Sequence, residues 1–244
     1  MINAALIGYG YWGPNLARNI ARSSSYDLGW IVDLDDKNLQ LAKESYQWIQ
    51  VSNDASQALA QQAVDLVIIA TPVSTHYSLA SAALKANKHV FVEKPLTDNY
   101  GQAQALHVEA TARNLVLMVD HTFIFTGAVK KIEELLEEKA LGDVYYYDST
   151  RVNLGLLQHD VSVIWDLAVH DFAILDYLFR RKPFSISAVG FAHFPNTPVN
   201  TAFISAKYED NLIAHINVNW LAPVKLRQTL IGGSEKMVFY NDLE

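Results

Sequence analysis

The first half of the chain alternates short apolar, β-rich runs with stretches of helical character. That alternation is the pattern of βαβ units feeding a parallel sheet. It predicts strands at Asn3–Ile7, Leu28–Val32, Leu66–Ala70, His89–Val92 and Leu115–Val119, with helices at Pro14–Arg22, Lys37–Ser45, Ser56–Gln62, Thr75–Ala86 and Tyr100–Arg113. LVIIA and LVLMV are apolar on consecutive residues, as strands covered on both faces should be. Pro14 falls where a first helical turn tolerates proline.

After His121 the pattern changes. One charged amphipathic helix is predicted over Val129–Lys139, then an aromatic strand, Val144–Val152, then a helix from Ile164 to Phe179. Closely spaced runs follow at Phe184–Phe191, Ala202–Tyr208, Leu212–Trp220, Lys225–Ile231 and Lys236–Tyr240, separated by turn residues such as Gly232-Gly233-Ser234. They read as an antiparallel meander with helices on one face. The expected fold class is therefore α/β: a doubly wound parallel sheet over residues 1–120, followed by an α+β domain with a largely antiparallel open sheet over 121–244.

Composition narrows the function classes. Half of the 244 residues are apolar and 18% are charged, which excludes disorder as a reading of the whole chain. The 26 acidic residues outnumber the 19 Lys and Arg, for a net charge of −7 with no basic block, so nucleic acid is an unsuitable partner. Without cysteine there are no disulfides, thiolate nucleophiles or Cys-ligated metals, and a reducing cytoplasm suits that usage. The opening MINAALIGYG has no secretory pattern and the apolar runs are too short to span a bilayer, so a cytoplasmic protein without membrane contact is expected.

Gly8-Tyr9-Gly10-Tyr11-Trp12-Gly13 is a GxGxxG placed directly after the first strand and before a helix. In that context the first glycine makes the turn, the second admits a pyrophosphate and the third lets helix and strand pack closely. The helix N-terminus adds unpaired N–H groups and partial positive charge. Asp33, 20 residues past Gly13, ends the second strand where a carboxylate accepts ribose hydroxyls and repels a 2′-phosphate. NAD is thus expected over NADP, although Lys37 lies nearby.

Glu93-Lys94-Pro95 follows the strand ending at Val92, at a carboxyl edge where open α/β sheets bind ligands; a solvated loop is the equal alternative on composition. Asp166 and His170, in Trp165-Asp166-Leu167-Ala168-Val169-His170-Asp171, are four apart and so share a helical face. Such a pair is a general-base arrangement or a satisfied core pair; as a metal site it lacks a third and fourth ligand, and no metal is expected.

Taken together, GYGYWG, the Asp33 strand end, Ala70-Thr71-Pro72 with His76, Glu93-Lys94-Pro95 and Asp166 to His170 resemble the Gfo/Idh/MocA family of nicotinamide-dependent sugar oxidoreductases, over essentially the whole chain. The resemblance implies a Rossmann domain in which Gly8, Gly10, Tyr11, Trp12, Gly13, Asp33, Thr71, Pro72, His76, Glu93 and Lys94 hold NAD, a catalytic set of Lys94, Asp166 and His170, and a cis Lys94–Pro95 bond. Either His170 or Lys94 would be the base. Val161-Ser162 and Ala168 stand where the family commonly has glycines, and His121 to Phe125 where it often has basic residues; these departures bear on the substrate.

The expected substrate is a free or nucleotide-activated sugar in polysaccharide or amino-sugar metabolism, contacted by Arg151, Asn153 and His159. Inositol or aldose oxidation and a non-catalytic dinucleotide-binding role are the alternatives. The last part of the second domain is expected to be missing. Apolar alternation in Ala202, Ile204 and Ala206 and in Leu212, Ala214, Ile216 and Val218, with few helices after residue 180, leaves one sheet face uncovered. A homo-oligomer, dimer or tetramer, is expected, and the resemblance implies pairing through that sheet.

Overall fold

The computed structural model describes residues 1–154, 158 and 160–243, which fall into two compact units, Met1–Asp120 and His121–Glu244. The first unit contains strands β1 (Ile2–Ile7), β2 (Tyr26–Val32), β3 (Gln50–Ser52), β4 (Leu66–Ile69), β5 (His89–Val92) and β6 (Leu117–Val119). All pair in parallel, in the order β3-β2-β1-β4-β5-β6. The order reverses between β1 and β4, and such a switch point opens a crevice at the strands' carboxyl ends.

Residue parity explains why these strands are apolar throughout. Ala5, Ile7, Val67 and Ile69 point to one buried cluster, while Ala4, Leu6 and Ile68 point to another on the opposite face. Helices α4 (Val73–Lys85) and α5 (Tyr100–Ala112) supply Ala80, Ala83, Leu84, Leu106 and Ala110 to the first cluster. Helices α1 (Gly13–Arg22) and α2 (Asp36–Ser45) supply Ala17 and Ala42 to the second. The short α3 (Ala55–Leu59) and β3 complete the unit. A three-residue strand carries too little alternation to be read in advance, and β3 is absent from the predicted elements.

In the second unit, α6 (Gly127–Glu137) and α7 (Val169–Phe179) cover one face of a sheet formed by β7 (Val144–Val152), β8 (Ser185–Phe191), β9 (Thr201–Lys207), β10 (Ile213–Asn219), β11 (Leu226–Gly233) and β12 (Met237–Asn241). The order is β12-β11-β7-β10-β9-β8. This corrects the simple meander. Strand β7 is inserted between β11 and β10 and runs parallel to β10, splitting the series into a three-stranded meander and a hairpin. Alternation specifies which residues face the core but not the order of pairing.

The predicted single helix from Ile164 also differs. Ile164–Ala168 forms a π turn before regular α-helix begins at Val169. The inner sheet face packs Tyr147, Ile204, Ala206, Ala214, Ile216, Val218 and Ile231 into one core with α6 and α7. Each large side chain removed from water there contributes roughly 1.5–3 kcal/mol. The outer face stays open: Phe203 and Phe239 are 48% and 55% exposed. No helix among the described residues is long and apolar enough to cross a membrane.

Candidate active site

The carboxyl ends of β1, β2 and β4 border a cavity of about 720 Å³, a size typical of cofactor pockets. Gly8 adopts φ +99°, and a Cβ there would fall 2.5 Å from the carbonyl oxygen of Ala70. At Gly13 a Cβ would fall 2.2 Å from the carbonyl of Gly8, so the third glycine lets α1 close onto the loop. Gly10 has open space where a side chain would stand, a backbone cradle kept clear for a ligand.

The helices of this unit differ in how they begin. Asp35, Asp54 and Asn99 cap α2, α3 and α5 with side-chain hydrogen bonds, whereas Trp12 and Pro72 begin α1 and α4 without one. Both uncapped starts line the cavity. Their first N–H groups retain the partial positive charge that suits a phosphate.

Of the residues expected to hold a dinucleotide, Gly8, Gly10, Tyr11, Trp12, Asp33, Thr71, Pro72 and Glu93 line the cavity. Asp33 accepts from the Tyr9 amide at 2.6 Å, from the Asp35 amide at 2.9 Å and from the Asn38 side chain at 3.2 Å, tying the glycine loop to the start of α2. Leu34, Asp35, Asn38 and Asn53 also line it. Sequence reasoning passed over them because they carry no motif. Leu34 and Asp35 follow β2, Asn53 follows β3, and Asn38 lies in the first turn of α2.

His76 does not line the cavity as expected. It is 1% exposed, with its two ring nitrogens each 2.9 Å from a carbonyl oxygen, those of Thr71 and Pro95. It braces the residues after β4 and β5 against each other. Lys94 follows β5 and precedes a cis bond to Pro95. Beside it, burial first, then the charge and hydrogen bond of Asp120, push the Glu93 carboxyl up to about 8, against the pull of Lys94.

The second unit holds Asp166 in the π turn and His170 in the first turn of α7. The Trp220 indole donates to Asp166 Oδ2 at 3.0 Å, and the His170 ring meets Phe123 edge-on at 4.7 Å. The four-residue spacing thus crosses from one helical geometry into another, and a π turn commonly re-aims side chains at functional positions.

Arg151, expected as a substrate contact, is instead buried. Its Nε lies 3.2 Å from Asp171 and its Nη1 3.4 Å from Asp242, and its guanidinium lies over the Phe123 ring at 4.6 Å. Asp171, wholly buried, also accepts from Ser149 at 2.5 Å and Tyr147 at 3.2 Å. Burial and the adjacent carboxylate hold the Tyr147 phenol well above its usual range, so it acts as a neutral donor. Phe123 thus lies between the Arg151 guanidinium and the His170 ring. Asn153 is half-buried after β7, and its amide donates to the Asn219 carbonyl at 3.1 Å. His159 lies outside the described residues.

Residues 2–121 match the oxidoreductase family with an NAD-binding Rossmann fold named GFO_IDH_MocA, and residues 129–239 match the C-terminal domain of the same family. The chain belongs to the Gfo/Idh/MocA family. Its first unit is that family's NAD-binding Rossmann domain. Among curated relatives, the UDP-N-acetylglucosamine 3-dehydrogenase of Acidithiobacillus ferrooxidans is 29% identical, over 78% of this chain and 58% of that protein. The myo-inositol 2-dehydrogenase of Thermotoga maritima is 25% identical, over 76% and 57%. The crystal structure of GenD2, from gentamicin A biosynthesis and in complex with NAD, shares the fold with a TM-score of 0.93 at 23% identity, covering 98% of this chain and 72% of that one. The chain spans about half the length of the curated relatives it matches.

Proposed function

We propose that this Gfo/Idh/MocA chain serves hydride transfer between NAD and a secondary alcohol of a sugar or nucleotide sugar. The observation that carries the reading is the cavity at the switch point, where an open glycine position, two uncapped helix starts and Asp33 stand together. These features suit a dinucleotide: Gly8 to Gly13 and the start of α1 would receive the pyrophosphate, and Asp33 the adenosine ribose. Three acidic residues and no Lys or Arg line the cavity among the described residues, which supports NAD over NADP because Asp33 and Asp35 would repel a 2′-phosphate, although Lys37 lies nearby in sequence. Thr71, Pro72 and Glu93 would lie towards the nicotinamide end, with His76 holding that end in shape.

When bound, NAD supplies the hydride acceptor. The chain's own part is to manage the proton and the oxygen. His170 takes the hydroxyl proton, and Asp166, itself held by Trp220, orients the imidazole and stabilises its cationic form. Lys94 donates to the same oxygen and favours the developing alkoxide, an effect on the order of 3 kcal/mol. The reverse assignment, with Lys94 as the base, predicts the same products. Asn153 is the remaining described candidate for substrate contact. The UDP-N-acetylglucosamine dehydrogenase relative supports a nucleotide sugar, and the inositol dehydrogenase relative supports inositol as the second reading.

The test has two stages. Fluorescence titration follows NAD and NADP binding through Trp12, and tighter NADP binding would contradict the role given to Asp33. Absorbance of the reduced cofactor is then followed with UDP-sugars, aldoses and inositols. His170→Ala and Lys94→Ala should each lower turnover by about a hundredfold to ten-thousandfold with NAD affinity nearly unchanged. Either residue is removed from the chemistry if its variant keeps full turnover. NAD binding without oxidation of any alcohol would favour a non-catalytic dinucleotide-binding role.

A further inference from the structure

Strands β5 and β6 are paired so that Val92 stands opposite Val119, and the Asp120 amide donates to the Val92 carbonyl at 2.8 Å. Glu93 follows β5 as Asp120 follows β6, so this register brings two acidic residues side by side at the sheet's carboxyl edge. The Asp120 carboxyl acts on the Glu93 carboxyl in one sense, raising it through its charge and as a hydrogen-bonding neighbour. A hydrogen bond between two carboxyl groups needs a proton on one of them, and two adjacent carboxylates cannot both ionise cheaply. Glu93 also lines the cofactor cavity, and its buried Oε1 has no hydrogen-bond partner within the chain.

We propose that Asp120 is a positioning residue for the cofactor site: it shares one proton with Glu93, so that Glu93 faces the dinucleotide as part of a singly charged pair with an O–H to donate, not as an independent carboxylate. The inference rests on the reading of this cavity as the NAD site and adds to it a protonation state that NAD binding selects. One physical effect favours the protonated pair when ligand is present: an O–H can donate to an acceptor oxygen of the dinucleotide, which a carboxylate cannot do. The charged groups acting on Glu93 are Asp120 at the end of β6 and Lys94 on its own segment. They act in opposite senses, and burial adds to the effect of Asp120.

Linkage fixes the expected behaviour. NAD affinity should be level at acid to neutral pH and fall above about 8, by up to tenfold per pH unit, as the pair loses its proton. Glu93→Gln should flatten that profile, since an amide keeps its donor at every pH. Asp120→Asn removes the neighbouring charge and offers an N–H to Glu93, so the carboxyl ionises earlier and the fall in affinity moves to lower pH.

The experiment is NAD titration from pH 6 to 9.5 for the wild-type chain and both variants, together with carboxyl-detected NMR titration of the ligand-free wild-type chain. A carboxyl resonance titrating near 8, and a break in NAD affinity at the same pH that is lost in Glu93→Gln, support the proposal. A wild-type carboxyl set that titrates wholly below pH 6 overturns it even if neither variant folds. NAD affinity level to pH 9.5 with a carboxyl titrating near 8 also overturns it, leaving the cofactor reading intact. Absence of NAD binding at any pH overturns both.

Discussion

The two units use polar groups in opposite ways. In the first, the sheet is apolar on both faces and the ligand cavity is built from strand ends, glycine backbone and helix starts. In the second, a charged network of Asp171, Arg151 and Asp242 is enclosed within the layer between sheet and helices, while large apolar side chains stand in solvent on the other face. The first unit thus presents a site by leaving backbone groups unsatisfied at its edge. The second pairs a buried cation with buried carboxylates inside its layer, with the Arg151 guanidinium over the Phe123 ring that His170 meets edge-on.

That difference sets the largest expected effect of substitution. Asp171→Ala would leave the Arg151 guanidinium buried beside Phe123 with only the longer contact to Asp242, and would strip acceptors from Ser149 and Tyr147. Removing one partner of a buried pair costs about 3–5 kcal/mol. Denaturant unfolding should register that loss, whereas NAD affinity of the folded protein should hardly change. A loss below 1 kcal/mol would mean that the network is incidental to the second unit.

The glycine loop gives a contrast within the first unit. Gly13→Ala brings a Cβ against the Gly8 carbonyl and should cost about 1–3 kcal/mol of stability, as overpacking does. Gly10→Ala meets no atom within 4 Å, so the fold should tolerate it while NAD binding weakens roughly tenfold, about 1.4 kcal/mol. Equal thermal shifts in the two variants would erase the distinction between a packing glycine and a ligand glycine.

How much of this was legible in the sequence follows the same division. The glycine loop could be read because its demands fall on backbone conformation, which only glycine meets, and because it sits between a strand and a helix. Asn38 and Asn53 could not, since their importance comes from where the ends of β2 and β3 happen to lie. Residue parity placed Arg151 with Tyr147 and Ser149 on the inner side of β7, yet its charge argued for an exposed contact. The buried partner that reverses this, Asp171, lies twenty residues away on another element. Pairing of β7 with β10 is likewise a long-range choice that local alternation leaves undetermined.

Glu93 gives a pH test of the first unit. Its folded value, about 8, lies above the ordinary 4.5, so the folded chain holds more protons than the unfolded chain between those values. Stability from this group therefore falls as pH rises from about 4.5 to 8, the opposite of a salt-bridged carboxylate. Glu93→Gln should make the protein more stable than wild type at pH 9 by about 1–2 kcal/mol, allowing for partial solvent screening, with little difference at pH 5. Thermal melts at the two pH values measure it, and a gain confined to pH 5 would reverse the argument.

The smallest effect on the fold is expected at the open sheet face. Register places Val189 opposite Phe203 and Leu230 opposite Phe239. Phe203 also stacks on His215, which is hydrogen-bonded to Asp148 at 2.8 Å. These apolar side chains stand among Ser187, Ser205, Asn217 and Thr150 on the same face; exposed apolar groups gathered on one sheet face suit association, and we propose that a second copy of the chain covers them in a symmetric dimer. Phe203→Asp puts a charge where the copies would meet but disturbs no buried contact of the single chain. Its effect on unfolding should stay within about 0.5 kcal/mol, the usual range for an exposed position. Light scattering should nevertheless show the dimer dissociating. A wild-type chain that remains monomeric across micromolar concentrations would end the assembly proposal, and an unchanged dimer in the variant would move the interface away from this face.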